Sequence, residues 1–179
     1  MFRGLILYFL FGMGILGPGY AYILGEDPIS YSWYFAVVLG IFGFGVSFAM
    51  RPKDIMIVLL LGALSGLTAH LAWIFITGIP KYGELIKGDW KQLLIGMEMG
   101  AGVTGLLFVY RYTSNKIKKM NQLLRYPLIG LSGAIVFTAI SFVNLYKRIA
   151  DPNICFVCAF IGFVVLTISA ISTDIYGES

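Results

Sequence analysis

One acidic side chain and one imidazole interrupt long apolar runs in the middle of the chain. Glu98 lies within LIGMEMGAGVTGLLFVY, and His70, the single histidine, lies within IMIVLLLGALSGLTAHLAWIFITG. An ionisable side chain in such a run costs at least about 2.5 kcal/mol to place in lipid, and it commonly marks a proton, ion or substrate path. A histidine can also change its charge between pH 5 and 8. These two residues are therefore the first candidates for a functional site.

Small residues place His70 and Glu98 on helix faces that could meet. Those on the His70 face precede it at intervals of four: Gly62 and Gly66. Those on the Glu98 face follow it by three, four and seven residues: Ala101, Gly102 and Gly105. At a rise of about 1.5 Å per residue, both side chains lie about 12–15 Å below the same membrane boundary. A hydrogen bond or ion pair between them is predicted if the two faces meet or line one cavity.

Three roles are open for this pair. As a structural lock, Glu98 would bond to His70, or would be protonated and bond to a hydroxyl such as Thr104 or Ser65. As a functional pair, the two would titrate along a solute or ion path, with Trp73, one turn beyond His70, in its wall. A metal site has the least support, because one histidine and one glutamate supply only two ligands. No metal or other cofactor is therefore expected.

The only two cysteines form a CFVC motif, Cys155 and Cys158, at the start of the last apolar run. This spacing allows a disulfide at a helix N-terminus, where a thiolate is stabilised. The surrounding 25 residues, FVNLYKRIADPNICFVCAFIGFVVL, resemble the membrane-edge CxxC region of vitamin K epoxide reductases and the related disulfide-forming quinone reductases. The resemblance implies thiol redox chemistry. Those families also need a second cysteine pair in an outer loop, and without one this chain could act only with an external thiol protein.

The elements that must position these residues are membrane-spanning helices. Of the 179 residues, 59% are hydrophobic and 12% are charged, with a mean hydropathy of +0.86, whereas soluble domains carry about 25% charged residues. Apolar runs long enough for a hydrocarbon core of about 30 Å recur along the chain and leave no room for a soluble domain. The sequence therefore predicts an all-α integral membrane protein, a compact bundle in a single polytopic domain over residues 1–179.

Six transmembrane helices are expected, because the runs are continuous rather than alternating as in a barrel. Their predicted bounds are Leu5–Leu24, Trp33–Met50, Ile55–Gly78, Gln92–Tyr110, Leu128–Tyr146 and Cys155–Thr173. With the N-terminus inside, eight Lys and Arg residues fall on the cytoplasmic side and five on the other. The positive-inside rule then places both termini in the cytoplasm. The net charge of +4 sets topology and does not indicate nucleic-acid binding.

The first span contains GMGILGPGY, in which Pro18 lies between Gly17 and Gly19. A proline inside a helix removes a backbone hydrogen bond, so a break or kink is expected here. Broken helices at membrane depth free backbone groups that can bind ions or substrates. A simple kink without a binding role is the alternative that we favour.

These features favour a small membrane transport protein for a small solute or ion: a channel, a proton-coupled carrier, or the substrate-binding subunit of a larger transporter. Its site would comprise His70, Glu98 and Trp73. The alternatives are a non-transporting structural subunit of a membrane complex and a membrane thiol oxidoreductase using Cys155 and Cys158. An enzyme is the less favoured class, because the sequence contains no other catalytic motif.

The expected location is the cell (inner) membrane. The expected partners are the lipid bilayer, the solute, and other membrane subunits or further copies of the chain, with no nucleic acid.

Overall fold

The computed structural model describes residues 2–78, 91–112, 119–144 and 152–176, and over these ranges the chain is almost entirely helical. The first helix is interrupted by one π-helical turn, Gly12–Leu16. The α-helices are α1 (Phe2–Phe11), α2 (Gly17–Leu24), α3 (Pro28–Ala49), α4 (Ile55–Thr77), α5 (Lys91–Tyr112), α6 (Gln122–Asn144) and α7 (Pro152–Tyr176).

Six helical segments are long and apolar enough to cross a membrane. The first, Leu5–Leu24, combines α1, the π turn and α2, and α3 to α7 supply the other five. The prediction of an all-helical, multi-pass protein with six candidate spans is therefore confirmed. Tyr146, the predicted end of the fifth span, lies outside the described residues.

Helix α3 begins five residues before the predicted start at Trp33. The Asp27 side chain accepts hydrogen bonds from the backbone N–H groups of Ser30 (2.9 Å) and Ile29 (3.4 Å), and Pro28 occupies the first helical position. A capping aspartate followed by proline is a strong helix start. Hydropathy missed it because these first residues lie outside the apolar run.

Helix α6 also begins early, at Gln122 and not at the predicted Leu128. The Asn121 side chain accepts a hydrogen bond of 3.1 Å from the Leu123 N–H and so caps the helix. Pro127 lies inside the helix, close to the end where backbone N–H groups lack intrahelical partners. The predicted start was wrong because the first six residues of the helix, Gln122 to Pro127, lie outside the apolar run from which the span was predicted.

The kink expected at Pro18 takes the form of the π turn that precedes it. The Gly17 N–H bonds to the Gly12 carbonyl, five residues back, and Pro18 stands in the first turn of α2. A π turn inside an α-helix accommodates one extra residue. A proline is tolerated in the first turn of an α-helix, so the missing N–H of Pro18 costs little at this position.

Three antiparallel pairs of consecutive spans pack through glycines. In each pair, a Cβ added to a glycine would overlap the backbone of the neighbouring helix. The glycines are Gly12 and Gly17 of the first span against α3, Gly66 and Gly100 between α4 and α5, and Gly133 and Gly162 between α6 and α7. Such close approach favours helix association where lipid removes the hydrophobic driving force.

Candidate functional site

A cavity of about 260 Å³ lies where the three helix pairs meet. Each of the six spanning segments contributes at least one residue to its lining. One lining residue from each segment, in chain order, is Leu16, Leu39, His70, Met99, Phe137 and Val165. Ligand pockets commonly measure about 300–1,000 Å³, and an apolar cavity of about 150 Å³ is enough to hold benzene. The cavity is therefore large enough for a small organic molecule.

His70 brings the only imidazole of the chain to this cavity. Its Nε2 atom is buried and has no hydrogen-bond partner among the residues that the structure describes. The helix opposite leaves space for the ring, since a Cβ on Gly96 would lie only 2.6 Å from the His70 Cβ. A buried polar atom without a partner costs about 1–3 kcal/mol. Because Nε2 has almost no accessible surface, His70 lines the cavity through its other atoms.

Trp73 lies in the cavity wall within a cluster of rings. Its ring centroid is 5.0 Å from that of Phe35, 5.7 Å from that of Tyr20 and 6.0 Å from that of Tyr31. Tyr20 and Tyr31 also stack on each other at 5.1 Å. These distances are typical of favourable aromatic pairs. The structure thus brings the predicted residues His70 and Trp73 together on one cavity, with Tyr20 and Phe35 as lining residues that sequence reasoning missed.

Glu98 lies elsewhere. Its side chain is exposed and accepts a hydrogen bond of 2.7 Å from Asn144 Nδ2 on α6. Within the described part of the chain, no hydrogen bond or ion pair joins it to His70. The reason is rotational: α5 turns Gly100 toward α4, while Glu98 and Gly102 lie on the side that faces α6. Successive helix residues differ by about 100°, so two positions reverse the face.

Cys155 and Cys158 lie within the first two turns of α7 and are not joined by a disulfide in the structure. Both are partly buried, and the Ser141 hydroxyl lies beside the Cys158 thiol. Their redox role stays a prediction.

A polar cluster at the opposite end of the bundle from the aromatic wall was missed by the sequence analysis. Arg125 Nη2 donates to Asp174 Oδ2 at 2.5 Å, and the Tyr110 hydroxyl donates to the same carboxylate at 2.7–2.8 Å. The Tyr126 hydroxyl lies 3.1 Å from Asp174 Oδ2. Arg125 is only 7% exposed. We refer to these four residues as the Arg125–Asp174 cluster. The available signal was Asp174 itself, an acidic residue at the end of the last apolar run.

Protein-family models, curated proteins and solved structures give no match to this chain. In the described ranges, no group of three or more His, Cys, Asp or Glu residues is placed to hold a metal ion. Fold and site together define a helical protein with six membrane-length spans and a mostly apolar cavity that all six spans line.

Proposed function

We propose that this chain is a membrane transport protein that binds a small organic solute in the cavity containing His70 and Trp73. The observation that carries the proposal is the cavity itself, about 260 Å³ in volume and lined by all six spans, with His70 and Trp73 in its wall. A concave, mainly apolar site with few polar groups is the usual form of a small-molecule site.

Glu98, which the sequence-based hypothesis places in the site, lies away from the cavity. Because its carboxylate bonds to Asn144 and does not line the cavity, the proposal gives it no part in binding. The solute site then rests on His70 and the aromatic wall. A proton-coupled mechanism through a His70–Glu98 pair is not part of the proposal.

A flux screen in reconstituted vesicles tests the proposal. The parent protein, His70→Ala and Thr68→Ala are each reconstituted, and entry of small phenols, alcohols, amines, carboxylic acids and inorganic ions is measured. Thr68 is the matched control, because it is exposed on the same helix and bonds only to the Leu64 carbonyl. Melting temperatures in detergent confirm equal folding.

Uptake of at least one solute that falls in His70→Ala and persists in Thr68→Ala supports the proposal. Equal uptake in all three proteins, or no uptake of any solute above empty vesicles, contradicts it. The structural-subunit alternative is favoured by the Glu98–Asn144 bond, which joins α5 to α6. It predicts that Glu98→Ala lowers stability while no variant changes flux.

A further inference from the structure

We infer that the hydroxyl groups of Tyr8 and Tyr110 form a latch that closes the solute path at one end of the bundle. This inference rests on the proposed function and adds how access to the cavity is controlled. The solute reaches the cavity from the opposite end. It passes the latch only when the α6–α7 pair moves away from the other four spans.

The cavity occupies one end of the bundle and leaves the other end packed. Its lining residues fall in the second half of the first span and of α4, and in the first half of α5. Because α5 runs antiparallel to the other two, these halves lie at the same end. Toward the other end, one buried cluster contains side chains that are at most 3% exposed: Val46, Val103, Leu107 and Ile168. A solute in the cavity therefore meets closely packed side chains on that side.

The cavity also lies between two parts of the bundle. Part of its wall comes from α6 and α7, and the rest comes from the other four spans. The α6–α7 pair is tightly joined within itself, by the close contact of Gly133 with Gly162 and by the ion pair of Arg125 with Asp174. Alternating access in membrane transporters is largely a rocking of one such rigid part against another around a fixed site.

Two tyrosine hydroxyls join these parts on the packed side of the cavity. The Tyr8 hydroxyl of the first span lies 2.6 Å from Ser169 Oγ on α7. The Tyr110 hydroxyl of α5 donates to the Asp174 carboxylate of α7 at 2.7–2.8 Å. Along α7, Ser169 lies about 6 Å and Asp174 about 13–14 Å beyond the lining residue Val165. Both bonds must break before α7 can leave the first span and α5 at this end.

Tyr126 supplies a matched control for this latch. Its hydroxyl lies 3.1 Å from the same Asp174 carboxylate, but both residues belong to the α6–α7 pair, so this contact does not join the two parts. The hydrogen bond from Asn144 to Glu98 does join α6 to α5, but it is exposed and does not belong to the packed end. The latch is therefore assigned to Tyr8 and Tyr110 alone.

The reactivity of a thiol in the packed end tests the inference. Leu107→Cys places this thiol one turn before Tyr110, in a Cys155→Ser, Cys158→Ser background that removes both native cysteines. Alkylation by N-ethylmaleimide in detergent micelles is followed by the mass of the intact protein. Because Leu107 is 1% exposed, the reaction needs a local opening, and its rate follows the population of the open form. Ala69→Cys in the same background reports on the cavity wall.

We expect Ala69→Cys to react at least about tenfold faster than Leu107→Cys, because only the latter needs an opening of the bundle. Tyr8→Phe and Tyr110→Phe should each raise the Leu107→Cys rate about fivefold, as expected for the loss of one buried hydrogen bond. Tyr126→Phe should leave that rate within about twofold of its parent. The Ala69→Cys rate should stay the same in all three. Val103→Cys, also fully buried, repeats the measurement if Leu107→Cys lowers the melting temperature.

Three results would overturn the inference: equal rates for Ala69→Cys and Leu107→Cys, no rise in the double variant Tyr8→Phe, Tyr110→Phe, or an equal rise in Tyr126→Phe. The proposed function fails separately, because the labelling needs no solute. The expected labelling without uptake of any solute would reject transport and keep the closed end. Solute uptake with unchanged labelling would keep transport and reject the latch.

Discussion

His70 and Arg125 are two basic side chains with opposite surroundings: Arg125 is buried beside a carboxylate, and His70 is half-buried in the wall of a cavity. Arg125 is surrounded by a carboxylate and two tyrosine hydroxyls, with the guanidinium also 5.1 Å from the Tyr126 ring centroid. His70 faces a cavity, and its Nε2 atom has no partner in the described part of the structure. The guanidinium thus has a carboxylate and a hydroxyl as partners, whereas His70 Nε2 has no partner among the described residues.

This difference separates a stabilising role from a binding role. A buried charge with its partners is expensive to disturb, because removal of one partner leaves the other desolvated and unpaired. A buried polar atom without a partner already lowers stability, so its replacement by carbon should cost little. The free energies of unfolding of variants can therefore test this difference between the two groups, without any solute.

The largest effect is expected from Asp174→Ala. This change leaves the Arg125 guanidinium, 7% exposed, without its carboxylate, and we expect a loss of about 3–5 kcal/mol in the free energy of unfolding. Unfolding in detergent micelles, followed by circular dichroism, measures it. The double variant Arg125→Met, Asp174→Asn removes both charges and keeps an acceptor for Tyr110, so it should recover most of the loss. Parent-like stability of Asp174→Ala would remove the structural role of this cluster.

A smaller loss is expected from Gly66→Ala, in the helix pair that carries His70. The added Cβ overlaps the Gly96 carbonyl of α5, and overpacking of a close contact costs about 1–3 kcal/mol. The matched control is Gly14→Ala, since a Cβ at that position meets no atom within 4 Å. The melting temperature in detergent should fall for Gly66→Ala and change little for Gly14→Ala. Equal melting of the two variants would mean that α4 and α5 adjust freely.

A local, pH-dependent effect is expected at the start of α3, which carries Tyr31 and Phe35. Hydrogen bonds from the Ser30 side chain and backbone lower the pKa of the exposed Asp27 carboxyl below its usual range. The cap therefore contributes its full stability above the pKa of the unfolded chain, and that contribution is lost as the pH falls through the lowered folded value.

Hydrogen exchange of the Ile29 and Ser30 amides tests this. Protection should be lost at acid pH in the parent, and Asp27→Ala should lack that protection already at neutral pH. Protection that is independent of both pH and the substitution would show that α3 starts without its cap.

The smallest change in stability is expected from His70→Leu. Because the imidazole nitrogen it removes lacks a hydrogen-bond partner among the described residues, the free energy of unfolding should change by less than about 1 kcal/mol, or rise. Thr68→Val, at an exposed position of the same helix, serves as the control. A loss as large as that of Asp174→Ala would show that His70 is a structural residue, and the comparison between the two basic groups would fail.

The spans were predictable from the sequence, and the rotation of each helix was not. Long apolar runs locate six helices because each must satisfy its own backbone in lipid. The apolar runs do not specify which face of a helix packs against which neighbouring helix. This holds above all where small residues occur on two faces, as on α5, where Gly100 contacts α4 and Gly102 contacts α6. Glu98 was accordingly placed opposite His70 by depth, whereas its actual partner is Asn144, at the end of the next helix.

Within the candidate site, the sequence predicted the pairing of His70 with Trp73 on one face, because one turn separates them. It did not predict Tyr20 or Phe35, since their approach depends on how the first span and α3 pack against α4. Arg125 was counted only as one of the eight Lys and Arg residues on the predicted cytoplasmic side. Because α6 begins at Gln122, Arg125 lies within the helix and is close enough to Asp174 to form a hydrogen bond.

The three glycine contacts also imply an order of assembly during synthesis. Each contact joins two spans that are neighbours in the chain, so each helical hairpin can close over a short sequence separation, which favours early formation. A nascent chain could complete the first hairpin, then the second, before α7 leaves the ribosome. The cavity needs residues from all six spans. The cavity would therefore be the last feature that the growing protein acquires, and truncated chains would lack it.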